Sequence, residues 1–222
     1  MTAPDPYLPG AGDDGYRVSR YELELDYRPA TNALSGRARF VVEPTAGLAA
    51  LSLDLVGLGV DGVRVDGRAC AGYRQGDGRL TVRLVRPATA GQVLEVEVRY
   101  SGAPRPRRGP WGEVGFEELT DGVLVAGQPD GAPTWFPCND RLEHKATFRT
   151  TVRVDSDYTV VASGEPVART RSGSRTTWVY EQTEPTPPYL VTLQIGRYEE
   201  HELAAAPCRS GCSRRLACGP GR

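Results

Sequence analysis

The stretch YRVSRYELELDY, residues 16–27, decides the fold. Its apolar side chains, Tyr21, Leu23, Leu25 and Tyr27, alternate with charged residues. A period of two residues is typical of a β-strand that has one face buried and the other in water. The alternation therefore predicts that the ordered part of the chain opens with a half-buried antiparallel strand.

The same alternation returns at short intervals as far as residue 203. It is clearest in SGRARFVVEP at residues 35–44 and in residues 147–154, while Asp-Gly pairs at 61–62 and 66–67 mark hairpins or bulges. The pattern has a plausible helical turn only over residues 140–146, and residues 111–119 fit no element clearly. We therefore predict an all-β fold, an antiparallel β-sandwich or saddle-shaped sheet domain over residues 15–203.

Composition excludes some classes of partner. The formal net charge of −1 gives no long-range field that would attract nucleic acid or an anionic membrane. The first 16 residues show neither a basic nor an apolar signal region, and no run of about 18 apolar residues predicts a membrane span. We therefore expect a cytoplasmic protein that binds neither nucleic acid nor membrane.

The two ends of the chain lack the alternation. We expect residues 1–14 to be a flexible N-terminus and residues 204–222 to be irregular, either disordered or the product of a shifted reading frame. The tail holds Cys208, Cys212 and Cys218, but this spacing lacks the paired Cys-x-x-Cys and the fourth ligand of a structural zinc site. Five cysteines, an odd number, also argue against a disulfide framework.

One internal segment carries a family resemblance. Residues 127–148 read GQPDGAPTWFPCNDRLEHKATF, and this segment is similar to one in the zinc aminopeptidases of the aminopeptidase N type. The weaker resemblance of the flanking strands extends it over residues 16–203. Leu142 stands where family members often have a proline. The resemblance implies the N-terminal β-domain of such an enzyme, with a turn that lines the substrate pocket of a catalytic domain.

The resemblance also implies a substrate contact. In such enzymes a Gln-x-acid pattern helps to bind the free α-amino group of the peptide, and the matching positions here are Gln128 and Asp130. An ammonium group has three N–H donors and a positive charge, which a carboxylate and an amide oxygen satisfy together. Asp130 is shorter than the glutamate commonly found there. The alternative is that Gln-Pro-Asp-Gly at 128–131 is only a turn.

The chain lacks the residues of the metal centre. It has two histidines, His144 and His201, and no His-Glu-x-x-His, so the zinc ligands and the base of such peptidases are missing. We therefore expect no catalytic residue and no metal ligand in this chain, zinc being the cofactor of the complete family enzyme. The expected molecule is truncated before the catalytic domain and inactive alone, and its partners are that domain and a peptide N-terminus.

A rival interpretation rests on the tryptophans. In a stand-alone carbohydrate- or peptide-binding β-sandwich, Trp111, Trp135 and Trp178 would form an exposed ligand face. We predict instead that Trp135 and Phe136 pack in the core or against another domain. Cys138 is predicted to be a buried, unreactive thiol.

Overall fold

The computed structural model describes residues 8, 10–109, 112–202 and 216–219. Within these residues the chain forms strands and three short 3₁₀ helices. The strands are β1 (Tyr16–Arg28), β2 (Ala33–Pro44), β3 (Leu48–Asp54), β4 (Gly59–Val65), β5 (Arg68–Ala69), β6 (Gly72–Gly76), β7 (Arg79–Ala88), β8 (Leu94–Gly102), β9 (Arg107–Gly109), β10 (Gly112–Leu119), β11 (Gly122–Ala126), β12 (Ala146–Asp155), β13 (Thr159–Ala162), β14 (Glu165–Ser172), β15 (Arg175–Thr186), β16 (Leu193–Gly196), β17 (Glu199–Glu202) and β18 (Leu216–Gly219). The 3₁₀ helices are Pro29–Thr31, Ala132–Thr134 and Pro188–Leu190.

The largest sheet has eight strands in the order β14-β15-β12-β1-β2-β8-β4-β5. Smaller sheets have the orders β13-β16-β11-β10-β9, β3-β7-β6 and β17-β18. The predicted all-β sandwich is confirmed, since the inward side chains of the eight-stranded sheet share one core with β3, β7, β10, β11 and β16. For example, the rings of Tyr27 in β1 and Phe116 in β10 lie 5.4 Å apart, edge to face.

The opening strand has the faces that its alternation predicted. Tyr21, Leu23, Leu25 and Tyr27 are all buried, whereas the intervening side chains are partly exposed. The sheet departs from the predicted antiparallel arrangement at its centre, where β1 and β12 run parallel. Parallel neighbours need a long crossover connection, and the chain from β2 to β11 supplies one between these two strands.

The two Asp-Gly pairs behave as predicted. Asp66 and Gly67 both have positive φ, 50° and 72°, and make the tight turn from β4 to β5. Asp61 and Gly62 lie inside β4, where its register against β8 shifts between Val60 and Gly62. The first pair is therefore a hairpin turn and the second a bulge.

Two local predictions differ from the structure, and one unassigned segment forms a strand. Residues 140–146 contain a hydrogen-bonded turn, from the N–H of His144 to the carbonyl of Arg141, rather than a helical turn. Residues 112–119, left without an assignment, form β10. β9 lies just before it and pairs with it in antiparallel orientation. Part of the expected flexible N-terminus, residues 12–14, is held by side chains far along the chain.

Most of the expected irregular tail lies outside the described residues. Residues 216–219 are described, and they form β18, which pairs with β17 rather than being irregular. Backbone pairing explains the difference, because a partner strand can order a segment whose side chains show no alternation. In the described part of the chain, no helix has the length and apolar character needed to cross a membrane.

Candidate substrate-facing bend and its acidic cavity

The segment that carries the family resemblance is a bend between β11 and β12, residues 127–145. Its first turn is closed by a hydrogen bond from the Gly131 N–H to the Gly127 carbonyl, 2.6 Å. The Thr134 hydroxyl donates to the Gly131 carbonyl at 2.6 Å and accepts from the Phe116 N–H at 2.9 Å. A Cβ at position 131 would come within 2.7 Å of the Gly115 backbone, so only glycine fits where the bend crosses β10.

The bend is buried from Asp130 to Arg141. Trp135 and Phe136 are fully enclosed, with ring centroids 4.6 Å apart, and Phe136 also meets Tyr21 at 5.7 Å. The prediction that these two aromatics pack in the core is confirmed. Trp135 therefore cannot belong to an exposed ligand face, and Trp111 lies outside the described residues. Trp178 is buried too, with the Arg169 guanidinium 4.1 Å from its ring.

Asn139 joins the bend to the start of the chain. Its side-chain nitrogen donates to the carbonyls of Asp13 and Tyr16, at 3.0 and 3.2 Å, and its side-chain oxygen accepts from the Asp13 N–H at 2.8 Å. The Arg141 guanidinium pairs with the carboxylate of Asp14 at 3.0 Å. Residues 13 and 14 therefore belong to the folded domain.

The two predicted amine-binding residues have different surroundings. Gln128 is exposed, and the peptide bond between it and Pro129 is cis. Asp130 has only 6% of its surface exposed, and its carboxylate lies 3.3 Å from the Arg107 guanidinium. Both residues lie in the same turn, and their amine-binding role stays a prediction.

A cavity of about 280 Å³ opens beside Asp130. The charged residues in its lining are Asp54, Asp77, Arg79, Arg107, Asp130 and Asp140. They come from distant parts of the chain, which is why sequence analysis missed the cluster. One signal was present: Asp54 interrupts the apolar run LSLDLVGL at residues 51–58, where a charged residue needs a partner.

Asp54 is well supported by hydrogen bonds. Its carboxylate pairs with Arg79 at 3.2 Å and accepts from the backbone N–H of Gly12 at 2.8 Å and of Asp140 at 3.3 Å. Burial nevertheless raises the pKa of Asp54, and the positive charge of Arg79 and the two N–H donors only partly oppose that rise.

Asp140 has no such support. It is 1% exposed, and neither of its carboxylate oxygens has a hydrogen-bond partner. Burial raises the pKa of Asp140 well above its ordinary value, and the negative charges of Asp54 and Asp130 raise it further. Only the Arg107 guanidinium, which already pairs with Asp130, opposes this rise, so an ionised Asp140 would be a poorly compensated buried charge.

The remaining reactive side chains do not form a catalytic group with this cavity. Cys138 is buried, as predicted, and burial raises the pKa of its thiol. His144 is half-buried, and its pKa is lowered by burial and by the charge of Arg17. His201 is exposed beside Glu199 on β17. Among the residues that the structure describes, no group of three or more His, Cys, Asp or Glu side chains could hold a metal ion, so they do not fit a zinc centre.

The comparisons with known proteins agree on one family. The family described as "Peptidase M1 N-terminal domain" matches residues 18–190. A leucyl aminopeptidase of Saccharolobus solfataricus is 28% identical over 188 residues, which are 83% of this chain and 22% of that protein. A probable aminopeptidase of Sulfurisphaera tokodaii is 24% identical over 183 residues, 82% of this chain and 22% of that protein. The chain thus spans about a fifth of the length of these relatives.

Solved structures give the same result. An M1 zinc metallopeptidase from Deinococcus radiodurans superposes with a TM-score of 0.87 at 26% identity, over 94% of this chain and 48% of that chain. A mutant of the M1 zinc metallopeptidase from the same organism, bound to a Tyr-Ser-Ala substrate, superposes with a TM-score of 0.83 at 27% identity, over 89% of this chain and 46% of that chain.

Proposed function

This chain belongs to the peptidase M1 N-terminal domain family, and from that premise we propose that it walls the substrate cleft of a zinc aminopeptidase. In the complete enzyme it contributes to the removal of N-terminal residues from peptides. The observation that carries the proposal is the bend of residues 127–145, in which residues 130–141 are all buried while Gln128, just before them, is exposed. A surface that positions a substrate needs such a fixed base.

Within this role, Gln128 and Asp130 bind the α-ammonium group of the peptide. Gln128 supplies an amide oxygen from the exposed flank. Asp130 supplies a carboxylate that Arg107 holds in position, and two oxygens allow one to face the guanidinium while the other remains for the ammonium group. Because Arg107 already balances the charge of Asp130, the contact between Asp130 and the ammonium group depends mainly on hydrogen-bond geometry.

The zinc and the groups that act on the peptide bond come, in this proposal, from a catalytic domain. The structural relatives are zinc metallopeptidases, whereas the described residues of this chain do not assemble a metal centre. The domain acts by shaping and closing the cleft, and no step of the chemistry is assigned to its own residues.

Peptide binding by the chain itself tests the proposal. Titration of the isotope-labelled chain with leucinamide, followed by NMR, is expected to shift the backbone signals of residues 127–131. N-acetyl-leucinamide, which has no ammonium group, is expected to leave them unchanged. Gln128→Ala should abolish the response, and the exposed Gln92→Ala serves as the matched control. Equal shifts with both ligands, or an unchanged response in Gln128→Ala, would remove the amine-binding role.

We also propose that the protein works in the cytoplasm. The supporting observation is that Cys70 and Cys138 are both free thiols in the described structure, which suits a reducing compartment. Cell fractionation of the tagged native protein tests the location, and recovery in an extracytoplasmic fraction would contradict it.

A further inference from the structure

A groove of about 470 Å³ crosses the outer face of the eight-stranded sheet. Its charged lining residues are Glu24, Asp26, Arg37, Asp61, Arg99 and Arg153. Glu24 alternates with the buried Leu23 and Leu25, so the groove lies on the side of the sheet that faces away from the core and from the bend. It shares no lining residue with the acidic cavity and is a separate place on the molecule.

Two arginines meet across neighbouring strands in this groove. Arg37 on β2 lies directly opposite Arg99 on β8. Like charges directly opposite each other in an antiparallel pair are destabilising. Arg37 is compensated, because its Nε donates to the Glu24 carboxylate at 3.1 Å. Arg99 makes no hydrogen bond or ion pair with any residue that the structure describes, so its charge remains open to the groove.

Asp61 is a second charged group of the groove that has no partner. The register of β4 shifts between Val60 and Gly62, and Asp61 is the residue that this bulge inserts. Bulges re-aim side chains and are over-represented next to active sites. Asp61 is exposed and lines the groove, and within the described part of the chain it forms no ion pair.

The two open charges lie close together in the sheet. Gly62, the neighbour of Asp61 in the chain, pairs directly with Arg99. The two groups therefore come from adjacent strands, which lie about 4.8 Å apart in a sheet. Because they do not pair with each other, a fork of N–H donors and a carboxylate acceptor both remain available in one groove.

We propose that this groove binds a free α-amino acid, with the carboxylate of the ligand on Arg99 and its ammonium group on Asp61. A guanidinium matches a carboxylate through paired N–H donors, and a carboxylate accepts hydrogen bonds from an ammonium group. The lining holds three carboxylates and three arginines, so a ligand without net charge suits it better than an anion or a cation. The volume of the groove is within the range of small-molecule sites.

NMR titration of the isotope-labelled 222-residue chain with leucine tests the proposal. Leucine is expected to shift the backbone signals of Ser35, Asp61 and Arg99, with a dissociation constant on the order of millimolar because exposed ion pairs are weak. Arg99→Gln and Asp61→Asn should each weaken this binding about fivefold. Arg64→Gln and Asp157→Asn make the same chemical changes at exposed residues outside the groove and should bind as the wild type does.

Ligands that lack one of the two charges serve as comparisons. N-acetyl-leucine has no ammonium group and leucinamide has no carboxylate, so both should bind the groove more weakly than leucine does. Leucyl-glycine keeps both charges but holds them farther apart. Weaker binding of leucyl-glycine identifies a free amino acid as the ligand, whereas equal or tighter binding identifies a short peptide; either result supports the groove as a zwitterion site.

The same spectra separate this proposal from the amine-binding role. Gln128→Ala should remove any response of residues 127–131 to leucine and leave the response of Ser35 unchanged. The two roles are therefore tested by different signals, and either one can fail without the other.

A second measurement uses the wild-type chain alone. With carbon-13-labelled aspartate, leucine should shift the carboxyl signal of Asp61, and N-acetyl-leucine should shift it less. The proposal is overturned if leucine leaves the groove signals unchanged, if N-acetyl-leucine or leucinamide binds the groove equally well, or if Arg99→Gln leaves the affinity for leucine unchanged.

Discussion

The hydroxyl of Tyr21, on the first strand, accepts a hydrogen bond at 3.0 Å from the backbone N–H of Asn139, 118 residues later in the chain. Both groups are buried, so water cannot replace either partner. The contact fixes the bend against the centre of the eight-stranded sheet, next to the parallel pair β1 and β12. The position of the whole cavity-forming segment therefore depends on it.

Removing that hydroxyl is expected to destabilise the domain. Tyr21→Phe leaves the Asn139 N–H buried without an acceptor, which costs about 1–3 kcal/mol of unfolding free energy. Tyr73→Phe is the matched control, because Tyr73 is 43% exposed, and it should change stability by less than about 0.5 kcal/mol. Urea unfolding followed by tryptophan fluorescence measures both. Equal effects of the two variants would show that the Tyr21 contact contributes nothing specific.

A second prediction concerns the pairing of β2 with β8. Gly36 lies opposite Tyr100, and the Tyr100 ring covers it so closely that a Cβ at position 36 would lie 2.6 Å from the hydroxyl oxygen. Because Tyr100 is buried, its ring cannot move aside freely, and Gly36→Ala is expected to cost about 1–3 kcal/mol. Gly62→Ala, also in the eight-stranded sheet, meets no atom within 4 Å and should be nearly neutral. Thermal unfolding of the two variants compares them, and an unaffected melting temperature in Gly36→Ala contradicts the prediction.

The alternation of side chains predicted the faces of the strands but not their neighbours. Tyr21 and Leu23 could be assigned to the buried face because a strand has a period of two residues. The parallel pairing of Leu23 with Thr150 could not be predicted, since the same alternation suits a parallel and an antiparallel neighbouring strand. The segment around Leu216 could not be predicted as a strand either. Its sequence has no alternation, and it forms β18 through backbone pairing with β17.

The candidate site was predictable only where its residues are adjacent in the chain. The turn with Gln128 and Asp130 and the enclosed Trp135 followed from local sequence and from the family resemblance. The acidic cavity joins Asp54, Arg79, Arg107 and the bend through tertiary packing, and no local spacing encodes such a meeting. The amine-binding role of Gln128 and Asp130 stays a prediction.

The purified 222-residue chain is expected to have no aminopeptidase activity. The sequence has two histidines and no His-Glu-x-x-His, so it cannot supply the zinc ligands and the general base that such hydrolysis requires. Release of aminocoumarin from leucyl-aminocoumarin, with and without added zinc, measures the activity. The leucyl aminopeptidase of Saccharolobus solfataricus serves as the positive control. Turnover that persists after host peptidases have been removed and inhibited would contradict the proposal that a separate catalytic domain supplies the zinc site.

The pH dependence of stability is expected to follow Asp140. Burial raises its pKa in the folded state above that of the unfolded chain, so the folded state binds this proton more tightly. The stabilisation is therefore fully present below the unfolded pKa of about 4 and is lost as pH rises toward the folded value. Asp140→Asn has no charge to bury, so it should be more stable than the wild type at neutral pH, and the difference should shrink as pH falls toward about 4.

Urea unfolding in phosphate and acetate buffers, free of organic cations, measures this difference across the pH range. Asp61→Asn provides the control, because Asp61 is exposed and its substitution should give a small change that does not vary with pH. A wild type that is more stable than Asp140→Asn at neutral pH would mean that the Asp140 charge is already compensated within the fold.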